Sequence, residues 1–194
     1  MEADWEFEVG GGAPVIEARW AGFVDLRRQP ERIKEIHEAE AFPPLAALLE
    51  ALNGAHSPLW TAKCDLWEPE VKELSGPEPE SPAGTEARMH SALACYVDLL
   101  PLAGEVFAQA ERAEAFCRRW VARLTQVPLP NCRVDLIIRQ ALAGESEGFG
   151  VTAYLSAVGG DHAAAREALA ATLAAFADTI PGSAAPETLT SKLQ

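Results

Sequence analysis

The stretch from Cys132 to Val158, CRVDLIIRQALAGESEGFGVTAYLSAV, decides how the rest of the chain is read. Successive side chains of a strand point to opposite faces, so a period of two marks a strand with one buried side. Cys132, Val134, Leu136 and Ile138 alternate with Arg133, Asp135 and Arg139; Val151, Ala153, Leu155 and Ala157 alternate with Thr152, Tyr154 and Ser156. The link from Gly144 to Gly148 is rich in glycine, which tolerates the positive φ of tight reversals. Two strands, about 132–143 and 149–158, are predicted, each with an apolar and a polar face.

Working outward, Asp161 is placed to cap a helix whose inner face is Leu169, Leu173, Phe176 and Ile180, stopped by Pro181-Gly182. Before Cys132, Pro128 and Pro130 bracket the exit of a helix over about 106–126, with Ala113, Phe116, Cys117, Trp120 and Leu124 on one side. Strands are predicted over about 59–67 and 87–100. Ahead of them a helical region breaks at Pro43-Pro44, carries a stripe of Leu45, Leu48, Leu49 and Leu52, and stops at Asn53-Gly54. At the start, Trp5-Glu6-Phe7-Glu8-Val9 alternates, and Gly10-Gly11-Gly12 leads to a strand from Pro14 to about Leu26. That pair reads as a hairpin.

The order is strand-strand-helix, three times. It predicts an α+β fold: a largely antiparallel sheet of five to six strands, built from three such units, with helices packed on one face. One domain is expected over residues 1–180, with a tail from 181 to 194. The insert over 68–87 holds four prolines, two glycines and six glutamates. Such composition favours a flexible acidic loop over a lid folded across the sheet.

Composition narrows the function classes. Of 194 residues, 48% are hydrophobic and 23% charged, which excludes a wholly disordered chain. Sixteen Lys and Arg against 29 Asp and Glu leave a net charge of -13, which repels nucleic acid and anionic lipid. The only adjacent basic pairs are Arg27-Arg28 and Arg118-Arg119, both among acidic neighbours. No apolar run reaches the roughly 18 residues of a spanning helix, and the acidic start Met1-Glu2-Ala3-Asp4 lacks the layout of a secretory signal. Cys64, Cys95, Cys117 and Cys132 show no C-x-x-C spacing, so reduced, buried thiols in a cytoplasmic setting are expected. Neither nucleic acid nor membrane is expected as a partner.

Parity divides the strands into two faces. Ile16, Ala18, Trp20, Val24 and Leu26, then Ala62, Cys64 and Leu66, then Met89, Leu93, Cys95, Val97 and Leu99 join the apolar positions above as the predicted core side. The opposite parity collects Arg19, Asp25, Lys63, Asp65, Trp67, His90, Tyr96, Asp98, Arg133, Asp135, Arg139 and Tyr154 as the candidate binding face. An aspartate between two inward-facing residues recurs in Val24-Asp25-Leu26, Cys64-Asp65-Leu66, Val97-Asp98-Leu99 and Val134-Asp135-Leu136. The plain explanation is a wetted sheet face with cross-strand ion pairs. The functional one is a surface where arginines grip an anion or where Trp, Tyr and Arg anchor a protein partner.

Specific chemistry is thinly encoded. No G-x-S-x-G, phosphate-loop or dinucleotide motif occurs, and Gly159-Gly160-Asp161 reads as a turn because the aspartate would occupy the helix N-terminus. His90 could reach Asp65 or Asp135 only across strands. The aspartates lack metal-loop spacing, and neither metal nor cofactor is expected. The leading expectation is a non-catalytic binding or accessory protein, its polar face serving a protein partner or a second copy of itself. The alternative is a small-molecule binder or enzyme: Arg133 and Arg139 would hold an anionic group, Asp65, Asp98 or His90 would move a proton, and the 68–87 loop would cover the site.

Overall fold

The computed structural model describes residues 1–70, 91–104 and 106–180. The predicted 68–87 loop beyond Glu70, His90, Met89 and the 181–194 tail lie outside the described residues. Six strands, β1 (Glu2–Phe7), β2 (Ile16–Ala18), β3 (Leu59–Trp67), β4 (Ser91–Pro101), β5 (Cys132–Ala143) and β6 (Ser146–Gly159), form one sheet. Their order is β1-β5-β6-β4-β3, with β2 also on β5. The β3/β4, β4/β6 and β5/β6 pairs are antiparallel, whereas β1 and β2 both run parallel to β5. The fold is α+β with a mostly antiparallel sheet.

The helices are α1 (His37–Ala41), α2 (Pro43–Asn53), α3 (Ala110–Leu124) and α4 (His162–Asp178), with a 3-10 turn over Pro30–Glu35. Among the described residues no helix is long and apolar enough to cross a membrane. Asp161 caps α4 as its position predicts, its Oδ1 accepting the Ala164 N–H at 2.8 Å. Asn53 does more than end α2. Its amide donates to Leu49 O and Thr61 Oγ1 and its oxygen accepts the Thr61 N–H, clamping the buried helix end to β3.

The main core lies between one sheet face and the helices. Leu45, Leu48, Leu49 and Leu52 of α2, Cys117, Trp120 and Leu124 of α3, and Leu169, Leu173 and Phe176 of α4 pack on Leu93, Val97, Val134, Leu136, Val151 and Leu155. Each such side chain contributes about 2 kcal/mol of burial. Trp120 stacks on Phe176, with centroids 4.4 Å apart, and donates its indole N–H to Thr179 Oγ1. Gly159 allows α4 to fold down on β6: a Cβ there would lie 2.3 Å from the Ala165 nitrogen.

The N-terminal hairpin is not formed. Glu8 N donates to Ile138 O and Ile16 resumes the same edge opposite Ala141, so residues 9–15 loop out of one parallel edge. The glycines do make a turn, with positive φ at Gly10 and Gly12, but the chain comes back facing the same way. The expected strand to Leu26 stops at Ala18, where Arg19 adopts φ 64° and breaks the extended backbone.

These two differences change the faces. β2 touches β3, the far edge of the sheet, so the sheet curls at this end until its edges meet. Ile16 and Ala18 therefore point away from the helices, into a second apolar cluster with Trp60, Ala62, Leu100, Ala141 and Ala143. Gly150 makes room: a Cβ there would sit 2.9 Å from Ile16 Cδ1 and 2.8 Å from Leu100 Cδ2. Ala62 joins this cluster instead of the helix side because a bulge between Thr61 and Cys64 reverses the parity of β3. Val24 and Leu26 do pack on the helix-side core, but from a loop. Trp20, also expected in the core, is exposed and donates its indole N–H to Ala62 O at 3.4 Å.

Candidate functional site

On the face away from the helices, strand register lines side chains up in rows. One row runs Asp65 (β3), Tyr96 (β4), Tyr154 (β6), Asp135 (β5) and Asp4 (β1). Trp67, one step along β3, closes an aromatic triad: its ring centroid is 6.3 Å from Tyr96 and 6.2 Å from Tyr154, and the two tyrosines are 5.8 Å apart. These spacings suit the edge-on and tilted contacts that ring quadrupoles favour. Trp67 remains 36% exposed.

The next rows hold a buried ion network. Asp98 and Arg139 are 6% and 9% exposed. The Thr152 hydroxyl donates to Asp98 Oδ1 at 2.6 Å, Arg139 Nη1 donates to Thr152 Oγ1 and to the Tyr154 hydroxyl, and its Nε and Nη2 hold Glu8 Oε2 at 2.9 and 2.6 Å. Burial pushes the Asp98 carboxyl above its ordinary range, against the Thr152 hydrogen bond and the charges of Arg139 and Lys63, which pull it down. Burial, with the Asp98 charge next, pushes the Tyr96 phenol up to about 12, so it stays neutral at ordinary pH.

Between the aromatic triad and β1 lies a groove of about 410 Å³, walled by Asp4, Glu6, Trp67, Asp135, Ile137 and Tyr154 among others. Arg133 lies on its rim in a two-bond pair with Asp135 at 2.7 and 2.8 Å, and its Nη1 is 3.5 Å from Glu2. A groove of this size with rings and a few polar groups is what a binding site needs.

Of the candidate face, Lys63, Asp65, Trp67, Tyr96, Asp98, Arg133, Asp135, Arg139 and Tyr154 lie on this side of the sheet or in its β3 bulge. Arg19 and Asp25 do not join them. Both follow the broken β2; Arg19 is exposed, and Asp25 sits in a turn held by Arg27 at 3.3 Å and Arg28 at 3.6 Å. The Lys63 ammonium lies 5.7 Å over the Trp20 ring.

The arrangement offers little for nucleophilic chemistry. Cys64 and Cys117 are pushed up to about 12, chiefly by burial, and Cys95 is raised too, so these thiols stay protonated. Among the described residues, no three His, Cys, Asp or Glu side chains converge on a metal-sized site.

Two contributors escape the parity reading. Glu8 holds Arg139, and the acidic side of β1 (Glu2, Asp4, Glu6 and Glu8) completes the face. The alternation around Trp5 to Val9 was a signal for both, but it marks a strand's faces without naming the neighbour it pairs with. Comparison with protein-family models, with curated proteins and with solved structures finds no match.

Proposed function

We propose that the protein is a non-catalytic binding module, and that it holds a protein partner on the aromatic end of the open sheet face. The supporting observation is the Trp67–Tyr96–Tyr154 triad, ordered by strand register beside a groove yet left partly in water. A face that only needed wetting has no use for three large rings, whereas Trp and Tyr are common anchors of protein interfaces. The polar groups expected to do chemistry are engaged with one another: Arg139 with Glu8 and Tyr154, Asp98 with Thr152, Arg133 with Asp135. A cytoplasmic setting fits four free cysteines.

The test uses the whole chain as bait, wild type beside Trp67→Ala, with quantitative identification of what each retains. Species held by the wild type and lost at least tenfold from the variant are expected. Identical profiles from the two baits sink the reading.

A second reading has its own support. The raised Asp98 carboxyl, whose charge acts on Tyr96, is the kind of group that a small-molecule site or an enzyme would use. Native mass spectrometry separates the two. An adduct of constant mass that disappears in Asp98→Asn favours the small-molecule reading; a bare chain mass removes its support.

A further inference from the structure

We infer that the groove on the open face takes a basic segment of the partner, an extended stretch whose lysine or arginine side chain lies over the Trp67, Tyr96 and Tyr154 rings. The inference rests on the binding-module reading and names the chemistry of the partner.

Charge complementarity carries it. The tyrosine floor is flanked by carboxylates at both ends of its row, Asp65 on β3 and the Asp135–Asp4 pair on β5 and β1. Asp4 and Asp135 stand directly opposite each other on adjacent strands, a like-charge arrangement for which Arg133, bonded to Asp135, is the one cation among the described lining residues of the groove. Glu6 adds a third carboxylate to the groove, and the cation lining it, Arg133, already serves Asp135 and Glu2. Ring faces attract a cation within about 6 Å of their centroids, and guanidinium and ammonium groups are the usual visitors. The Arg139 guanidinium already lies 5.6 Å from the Tyr154 centroid, so it is the carboxylates at the ends and the Trp67 and Tyr96 rings that call for a further positive side chain.

The same charges argue against the other occupants. A second copy docking through this face would bring together two faces edged by carboxylates, on a chain that already carries -13. An anion meets the same repulsion. A compact organic cation satisfies the rings but leaves most of the groove empty. The groove is lined from Asp4 on β1 to Trp67 on β3, so it crosses five strands, about 19 Å along the sheet. That span matches an extended peptide of about six residues.

The probe is a dye-labelled hexapeptide of alternating lysine and serine, titrated into the full chain and followed by fluorescence anisotropy. The wild type is expected to bind saturably. Trp67→Ala and the double variant Asp4→Asn/Glu6→Gln are each expected to weaken binding at least tenfold, while Trp67→Phe, which keeps a ring, loses less. Glu31→Gln/Glu111→Gln removes two exposed charges away from the groove and is expected to change binding less than twofold. Thermal melts show that each variant is folded.

Equal weakening by the two double variants overturns the inference, since bulk charge alone would then explain binding. So does absence of saturable binding, or displacement of the peptide by butylammonium at equal concentration, which marks a small-cation site. The two levels of the argument fail separately. If the baits retain partners through Trp67 but ignore Asp4→Asn/Glu6→Gln, the basic-segment inference falls and the interface stands. If they ignore Trp67 as well, both fall.

Discussion

The two ends of the sheet face that the helices leave uncovered share one backbone and one rule of alternation, yet they have opposite fates. At one end Ile16, Ala18, Trp60, Ala62, Leu100, Ala141 and Ala143 meet as the sheet curls, and Trp60 is fully buried beneath Phe23 and the Arg27 guanidinium, 4.1 Å above its ring. At the other, Trp67, Tyr96 and Tyr154 touch each other but stay open to water, edged by carboxylates. Asp98, Thr152 and Arg139 divide them. Three rings at one end and an indole at the other thus serve different purposes. What decides the difference is whether the chain closes over them: β2 and the loop after it close the first end, and no described residue closes the second.

The largest expected effect lies at the closed end. Trp60→Ala leaves a cavity in the second cluster and abandons the indole hydrogen bond to Pro101 O, at about 3–5 kcal/mol. Denaturant unfolding measures it, and a loss under 1 kcal/mol would mean that this end is not a core at all. Arg139→Ala comes next, at about 3 kcal/mol, because it strands Asp98 and Thr152 in a buried site while Glu8 loses its partner at the rim. Equilibrium unfolding checks it. Retained stability would recast the dividing network as a free, ligand-gripping arginine and blur the contrast between the ends.

Asp98 adds a pH dependence of known sign. Its carboxyl titrates higher in the folded chain than in the unfolded one, so the native state binds more protons over the window that starts near pH 4 and ends at the raised value. Stability from this group is greatest below that window and declines as pH rises through it. The stability of the wild type relative to Asp98→Asn is therefore expected to fall as pH rises above about 4, read from melts of both at each pH. A rising difference would place the carboxylate in a favourable site and sharpen the case for a stable ion pair with Arg139. The smallest effect belongs to the open end: Trp67→Ala is expected to cost about 1 kcal/mol in thermal unfolding, the worth of its ring contacts, while losing partner binding. A cost like that of Trp60→Ala would make the triad a core and remove the comparison.

Much of this was legible in the residues. The stripe Leu45-Leu48-Leu49-Leu52 placed α2, the capping aspartate placed the start of α4, and alternation placed β3 and β5 to the residue, because each signal is local: a helix or strand shows its buried side through its own period. Alternation also put Trp67, Tyr96, Tyr154, Asp98, Arg133 and Arg139 on one side, which is most of the candidate site. Alternation failed wherever a neighbour decided. Ile16 and Ala18 are apolar and inward-facing, as read, but the chain has two insides, and period two cannot tell which one a residue enters. Ala62 lies beyond a bulge that no composition marks. Arg19 and Asp25 carried the right residue types, but the strand ended at Ala18, one residue before the first and seven before the second.

What the amino-acid sequence by itself determined is the set of elements, their chain order, the α+β class and the amphipathic character of the sheet, since these follow from local periodicity and turn chemistry. Only the tertiary structure decided that β1 and β2 both lie parallel along β5, that Glu8 reaches Arg139 across 131 positions of sequence, and that one end of the open face is sealed while the other is not. Strand pairing is a choice among distant partners with similar local patterns, settled by which arrangement buries the most apolar surface and leaves the fewest charges unpaired. That sum runs over the whole chain and is written in no single stretch of it.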